Sequence, residues 1–291
     1  MTTLSSPSPR MIEAAATTAI RTILTHVRAR PEDERRLEAT AALARELGAT
    51  LFGLAAESVP PAGVTEPTGL VAGEWYLAMR AQVEANLELA RVAFDRATSG
   101  LDTDWRAVEA LPAQALCRAA RAADLVVLGG PSPGAEDAYR RADAAEVMLG
   151  AGRPVLVAPP DGRRFRGDSV IVAWRDTREA RRALADALPL LMRAESVVVA
   201  EVCRPDEARD AEAATADVVE ALGRHGVAAQ ARVITAPPDC VAAELNIAAR
   251  ALDADLIVAG GYGHSRLGEW VFGGVTRSLL RESHGYVLFS H

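Results

Sequence analysis
The sequence predicts an α/β protein made of two doubly wound, mostly parallel five-stranded sheets in tandem, and three observations carry that prediction. Short apolar runs alternate along the chain with helix-length stretches, the pattern of parallel strands covered by helices on both faces. An internal repeat divides the chain: AARAADLVVLGGPSPG near residue 120 answers AARALDADLIVAGGYG near residue 250, and RPVLVAPP at 153–160 answers GYVLFSH at the end. Length agrees, since 291 residues with 49% hydrophobic content favour two domains over one. The expected organisation is a flexible tail over 1–16, a first domain over 17–160, and a second over 167–291 after the polar linker PPDGRRFRGD.

In the first copy a strand is expected over 20–27, then a helix over 31–47, opened by Pro31 in its first turn and closed by Gly48 just past its end. A strand over 50–55 leads through the Pro/Gly-rich VPPAGVTEPTG to a long helix over about 74–98. Strand 105–109, helix 113–122 and strands 124–128 and 154–158 complete the copy. The second copy starts with strand 169–174. Asp176 and Glu179 are spaced like a capping box opening a helix to about Met192. Strand 196–202, helix 207–225, strand 229–234 and helix 241–252 follow. Leu256, Ile257 and Val258 form a buried-strand run, and Val275, Leu279 and Leu280 return at helical spacing before the last strand, 286–290.

Between that run and the helix lies the most informative stretch, ADLIVAGGYGHSRLGEWVFGGV, with glycines at 260, 261, 263, 273 and 274. A strand, a glycine loop and a helix start place unpaired peptide N–H groups where an anion fits, with the helix dipole behind them. The competing reading is a tight βα turn with no ligand. A P-loop is excluded because no Gly-Lys pair follows, and the dinucleotide fingerprint fails because Arg266 stands where its third glycine belongs.

Gly260, Gly263 and Gly273 do hold G-x2-G-x9-G, which resembles the phosphate-binding signature of the universal stress protein family; GGYGHSRL and FGGVTRSLL are similar to its tandem members. The resemblance implies two Rossmann-like, universal-stress-protein-like domains. It also implies an adenine nucleotide, ATP or another, with the base against Ala173, Trp174 and Val202. The phosphates would lie around Ala259, Gly260, Gly263, His264, Arg266, Gly273, Gly274 and Val275. Two positions depart from the family. Gly274 stands where a Ser or Thr commonly follows the third glycine, and Arg175 stands where nucleotide-binding members have an Asp. Arg175, Arg266 and His264 add positive charge to such a site; the alternative for each is a solvated side chain. In the first copy the loop reads Gly129-Gly130-Pro131-Ser132-Pro133-Gly134, with Ala144-Ala145 near the place of Gly273-Gly274. Its prolines remove backbone donors, so this copy is expected to be structural. The resemblance further implies that the domains pair antiparallel through 154–158 and 286–290, and leaves a homodimer open.

Function classes narrow by composition. A formal charge of −7 with arginines interspersed among acids argues against a nucleic-acid surface. Cys117, Cys203 and Cys240 show no paired or metal-ligand spacing, and His26, His225, His264, His284 and His291 show none either. No H-E-x-x-H or G-x-S-x-G occurs, and only Glu269 offers the glycine loop a carboxylate for Mg²⁺. The N-terminus lacks the basic and apolar regions of a signal peptide, and no run of about 18 apolar residues is present. The expectation is a non-catalytic cytoplasmic stress-response or signalling protein without membrane or metal. Its alternatives are an interaction scaffold without nucleotide and a nucleotide-hydrolysing α/β enzyme.

Overall fold
A computed structural model of the chain describes residues 19–61, 70–131, 138–261 and 273–291. The first half runs β1 (Thr22–His26), α1 (Pro31–Leu47), β2 (Thr50–Glu57), α2 (Leu70–Ala97), β3 (Thr103–Glu109), α3 (Pro112–Ala119), β4 (Leu125–Gly129), α4 (Ala144–Gly150) and β5 (Val155–Ala158). The second runs β6 (Ser169–Ala173), α5 (Arg178–Leu191), β7 (Ser196–Cys203), α6 (Ala208–Arg224), β8 (Ala229–Thr235), α7 (Val241–Ala251), β9 (Leu256–Gly260), α8 (Gly274–Glu282) and β10 (Tyr286–Ser290). α1 begins at Pro31, and Gly48 ends it with φ 62 in the left-handed region. There Gly48 N–H donates to Arg45 and Ala49 N–H to Ala44, satisfying the last carbonyls.

The two sheets are one. Ten strands lie in the order β3-β2-β1-β4-β5-β10-β9-β6-β7-β8, and every neighbouring pair is parallel except the central β5 and β10. That pair is antiparallel, with Val157 opposite Val287, Leu156 opposite Leu288 and Val155 opposite Phe289. Every residue of both strands is buried, so separating the halves would expose an edge that is apolar but for Ser290 and the Tyr286 hydroxyl. Side chains alternate between the faces, as the twofold period of a strand requires. Ile23, Val127, Leu156, Val172 and Leu288 belong to one apolar layer, and Leu24, Val126, Val157, Ile171 and Phe289 to the other. Each layer therefore crosses the seam.

The linker is fastened to the second half rather than loose. The Asp255 carboxylate accepts from the N–H groups of Arg166 at 2.9 Å and Gly167 at 2.7 Å. Tyr286 donates its hydroxyl to the Arg163 carbonyl at 2.6 Å and meets Phe165 edge-on.

Two local expectations are corrected. Asp176 does not cap α5: Thr177 is the N-cap and accepts from Ala180 N–H at 3.2 Å, while Asp176 pairs with Arg181 at 2.7 Å. A helix that the sequence reading omitted, α4, follows Asp143, because seven residues hold too few turns to show a period. Among the described residues no helix is long and apolar enough to cross a membrane. The expected tail over 1–16 lies outside the described residues.

Candidate functional site
A parallel sheet of this kind leaves a crevice at the carboxyl ends of its strands, and the second half has one of about 280 Å³. Ala173, Trp174, Ala200, Val202, Ala259 and Gly260 line it from the ends of β6, β7 and β9. Pro238, Val241 and Leu245 close it from the α7 side, and Gly273, Gly274, Val275, Thr276 and Leu279 from α8. Small residues make this space: three alanines and a glycine end the strands where larger side chains would fill it. Ala173, Trp174, Val202, Ala259, Gly260, Gly273, Gly274 and Val275, all expected from the sequence, thus share one cavity. Gly263, His264 and Arg266 lie outside the described residues.

The glycines divide by role. A Cβ on Gly260 would stand 2.6 Å from Ala180 N and 2.7 Å from Glu179 C, so this glycine lets α5 pack on β9 rather than giving a ligand room. Among the described residues, nothing lies within 4 Å of a Cβ on Gly274, and one on Gly273 would meet only Thr276 Oγ1, at 3.8 Å. Those two positions are open. Gly273 is the N-cap of α8 and, having no side chain, offers the first-turn amides no capping acceptor of its own. Thr276, buried in the cavity wall, brings a hydroxyl two residues beyond the position where Gly274 lacks one.

Ionizable groups are sparse. Among the described lining residues only Arg175 carries one, at the loop after β6. Trp174 is buried, and its indole N–H has no hydrogen-bond partner among the described residues. Cys203 is buried and Cys117 half-buried, and burial pushes both thiols up, away from the thiolate form that a nucleophile needs. No group of three or more His, Cys, Asp or Glu side chains suited to a metal occurs among the described residues.

In the first half the chain itself occupies the strand end where the second half leaves room. His26 ends β1 opposite Leu54 as Ala173 ends β6 opposite Ala200, so an imidazole stands where the second half has a methyl group. The ring is buried and donates Nε2–H to the Ala56 carbonyl at 3.1 Å. Burial holds its pKa down to about 3, and the ring is neutral. At the other end, the Asp143 carboxylate caps α4, accepting from Ala145 N–H at 2.7 Å and Glu146 N–H at 3.4 Å. Arg36 braces the strand ends from the α1 side, donating to Thr25 Oγ1, the His26 carbonyl and Asp33 Oδ1, each at 3.0 Å. Neither His26 nor Asp143 was expected from sequence to decide this site. The loop over 132–137, on which that expectation leaned, is outside the described residues.

Nor did the sequence reading find Ala200, Pro238, Val241, Leu245 or Leu279. Single apolar residues on separate elements carry no signal until the crossovers bring them together.

No protein-family model matches the chain, and no curated protein does. Solved structures match over nearly the full length. A universal stress protein from Archaeoglobus fulgidus DSM 4304 is similar at 15% identity and a TM-score of 0.67, covering 94% of this chain and 97% of its own. A protein from Pseudomonas aeruginosa PAO1, described as functionally unknown, is similar at 17% identity and a TM-score of 0.55, covering 94% of each. The likeness is one of fold: the chain has the architecture of a two-domain universal stress protein.

Proposed function
We propose that the chain is a non-catalytic stress-response or signalling protein of the cytoplasm whose second domain, from about residue 167, binds an adenine nucleotide, ATP or another. The first domain then serves as its structural partner. The observation that carries this reading is the contrast between the two cavities. One is lined by alanines and a helix N-terminus whose N-cap is glycine; in its counterpart an imidazole and a carboxylate take those places. The base would lie against Ala173, Trp174 and Val202, with the phosphates on the amides that follow Gly273. Charge-assisted bonds of that kind contribute about 1.5–3 kcal/mol each, and the dipole adds about 0.3–1 kcal/mol. Gly263, His264 and Arg266 are proposed members of the same site, and Arg175 adds charge at its mouth.

A binding role is supported by the lining, where Arg175 is the only ionizable side chain among the described residues. The three free cysteines suit a reducing compartment.

Calorimetric titration of the full chain with ATP tests the proposal. Saturable binding is expected, together with a rise in melting temperature equivalent to about 2.7 kcal/mol at a hundredfold excess over Kd. Phosphorus NMR of the same sample is expected to show ATP intact. No heat and no melting shift at millimolar ATP would reject the nucleotide site and leave an interaction scaffold; ADP formed in step with protein concentration would reject the non-catalytic role.

A further inference from the structure
The longest described helix, α2, has 28 residues, against 17 in α6, which holds the same place between strands of the second half. Val83, Ala90 and Phe94 bury one face of it on the sheet, where Phe94 meets Trp105 of β3. A surface helix packed in this way normally turns a charged face outward. The outer face of α2 is apolar instead. Of the seven large apolar side chains exposed among the described residues, four stand on this helix, at Tyr76, Leu77, Leu89 and Val92. Leu89 is 55% and Val92 60% exposed. On α6 the outward positions carry Arg209, Ala213, Asp217, Glu220 and Arg224, with Arg224 paired to Glu220. The fold therefore does not require an apolar surface at this place.

At 3.6 residues per turn, Ala78, Ala81, Ala85, Leu89 and Val92 fall within about 40° of one line, opposite the buried face, and all five are exposed. Their order is symmetric about Ala85. Ala81 and Leu89 stand four residues to either side, Ala78 and Val92 seven, and Glu74 and Arg96 eleven. A second α2 laid antiparallel, with a twofold axis at Ala85, sets Ala81 against Leu89, Ala78 against Val92 and Glu74 against Arg96 of the other copy, each twice. Every larger apolar side chain thus meets an alanine, which lets helix axes close to about 8 Å. The ends bring opposite charges together. Arg96 also donates to Glu34 of its own chain at 2.8 Å, in an exposed pair, and a guanidinium has further N–H groups to offer. From Glu74 to Arg96 the line is about 33 Å long and a helix about 10 Å wide. Such a patch lies at the small end of specific interfaces. Glu84 and Glu88 border it on one side, near their own counterparts across the axis, which keeps the affinity modest.

We propose that the outer face of α2 is a homodimer interface, in which two α2 helices pack antiparallel about a twofold axis at Ala85. The occupant is a second copy of this chain because the face complements itself in both side-chain size and end charge. Dimerisation is reversible, with a dissociation constant in the micromolar range. It is separate from the β5 and β10 seam, which joins the halves of a single chain, and it does not depend on nucleotide binding in the second half.

The test is sedimentation velocity of the full chain over a range of concentrations, where a monomer–dimer equilibrium is expected. Ala85→Arg sets two cations beside each other on the axis and is expected to weaken the dimer about tenfold or more. Position 85 is exposed and arginine is a good helix former, so the variant keeps its fold, which far-UV circular dichroism verifies. A cross-link reads the register directly. Because the axis residue faces its own copy, Ala85→Cys is expected to give a disulfide-linked dimer under mild oxidation. Ala213→Cys on α6 is expected to give none, nor is the wild type, whose three cysteines are buried or half-buried. A chain that stays monomeric at millimolar concentration, or a dimer whose constant Ala85→Arg leaves within about threefold, would overturn the interface. A dimer that Ala85→Cys does not cross-link, or that Ala213→Cys cross-links equally well, would overturn the antiparallel pairing at Ala85.

Discussion

Replacing Gly273 with aspartate tests whether α8 carries glycine at its N-cap in order to receive an anion. The backbone there has φ −53 and ψ 130, close to φ −76 and ψ 122 at Asp143, and a Cβ meets nothing nearer than Thr276 Oγ1 at 3.8 Å. Aspartate is thus accepted without strain. It should cap α8 as Asp143 caps α4, where one carboxylate oxygen takes the amides of Ala145 and Glu146. An aspartate N-cap is better than glycine by a few tenths of a kcal/mol, and its charge at the helix N-terminus adds about 0.3–1 kcal/mol. The unliganded protein should therefore melt about 1–3 °C higher. Binding should move the other way. The carboxylate removes amides worth about 1.5–3 kcal/mol to a phosphate. It also sets a like charge beside it, costing about 1 kcal/mol at 4 Å in water and about 4 kcal/mol at an effective dielectric of 20. A combined loss of about 3 kcal/mol or more is a fall of about a hundredfold in ATP affinity. Scanning calorimetry without ligand and titration with ATP measure the two effects. Opposite signs cannot come from misfolding. ATP affinity within threefold of wild type, or a lower melting temperature without ligand, would refute the assignment of the α8 N-terminus as the phosphate site.

The buried neutral His26 makes a pH prediction. Its folded pKa is about 3 against 6.5 in the unfolded chain, so below pH 6.5 the unfolded state takes up a proton that the folded state refuses. Stability is lost as pH falls through that window, by about 1.4 kcal/mol per unit, or about 2 kcal/mol between pH 7 and pH 5. Asp33, whose carboxyl is held below its usual range by Arg36 and Arg28 against the opposing effect of burial, adds its own loss only at lower pH. Urea unfolding at the two pH values should show the difference in wild type and a much smaller one in His26→Gln; equal slopes would reject the role given to the ring. The seam makes a second prediction. Deleting residues 1–162 removes β5 and bares the Tyr286–Ser290 edge, so the remainder should dimerise or aggregate; a monomer at high concentration by light scattering would show that β5 contributes little.

Local chemistry was legible in the residues alone. Pro31 and Gly48 bound α1 because a fixed φ and a left-handed cap are properties of single residues, and alternating apolar runs announced the strands of both halves. The repeat and the glycine spacing pointed to the end of β9 and the start of α8, where the cavity of the second half lies. Roles that depend on what lies opposite were not legible. Thr177 displaced Asp176 as the α5 cap by the path of the loop, and Gly260 proved to serve helix packing while Gly274 faces open space, although the two look alike in sequence. His26 and Asp143 read as an ordinary strand end and an ordinary acid until register put them at the places of Ala173 and Gly273. The sequence by itself determined the elements and the repeat, because propensity, capping and periodicity act within a few residues. The pairing of β5 with β10 was expected from the family resemblance and is present; tertiary structure alone decided that an imidazole and a carboxylate stand in the first half where the second half has Ala173 and Gly273, because that depends on pairings between residues far apart in the chain.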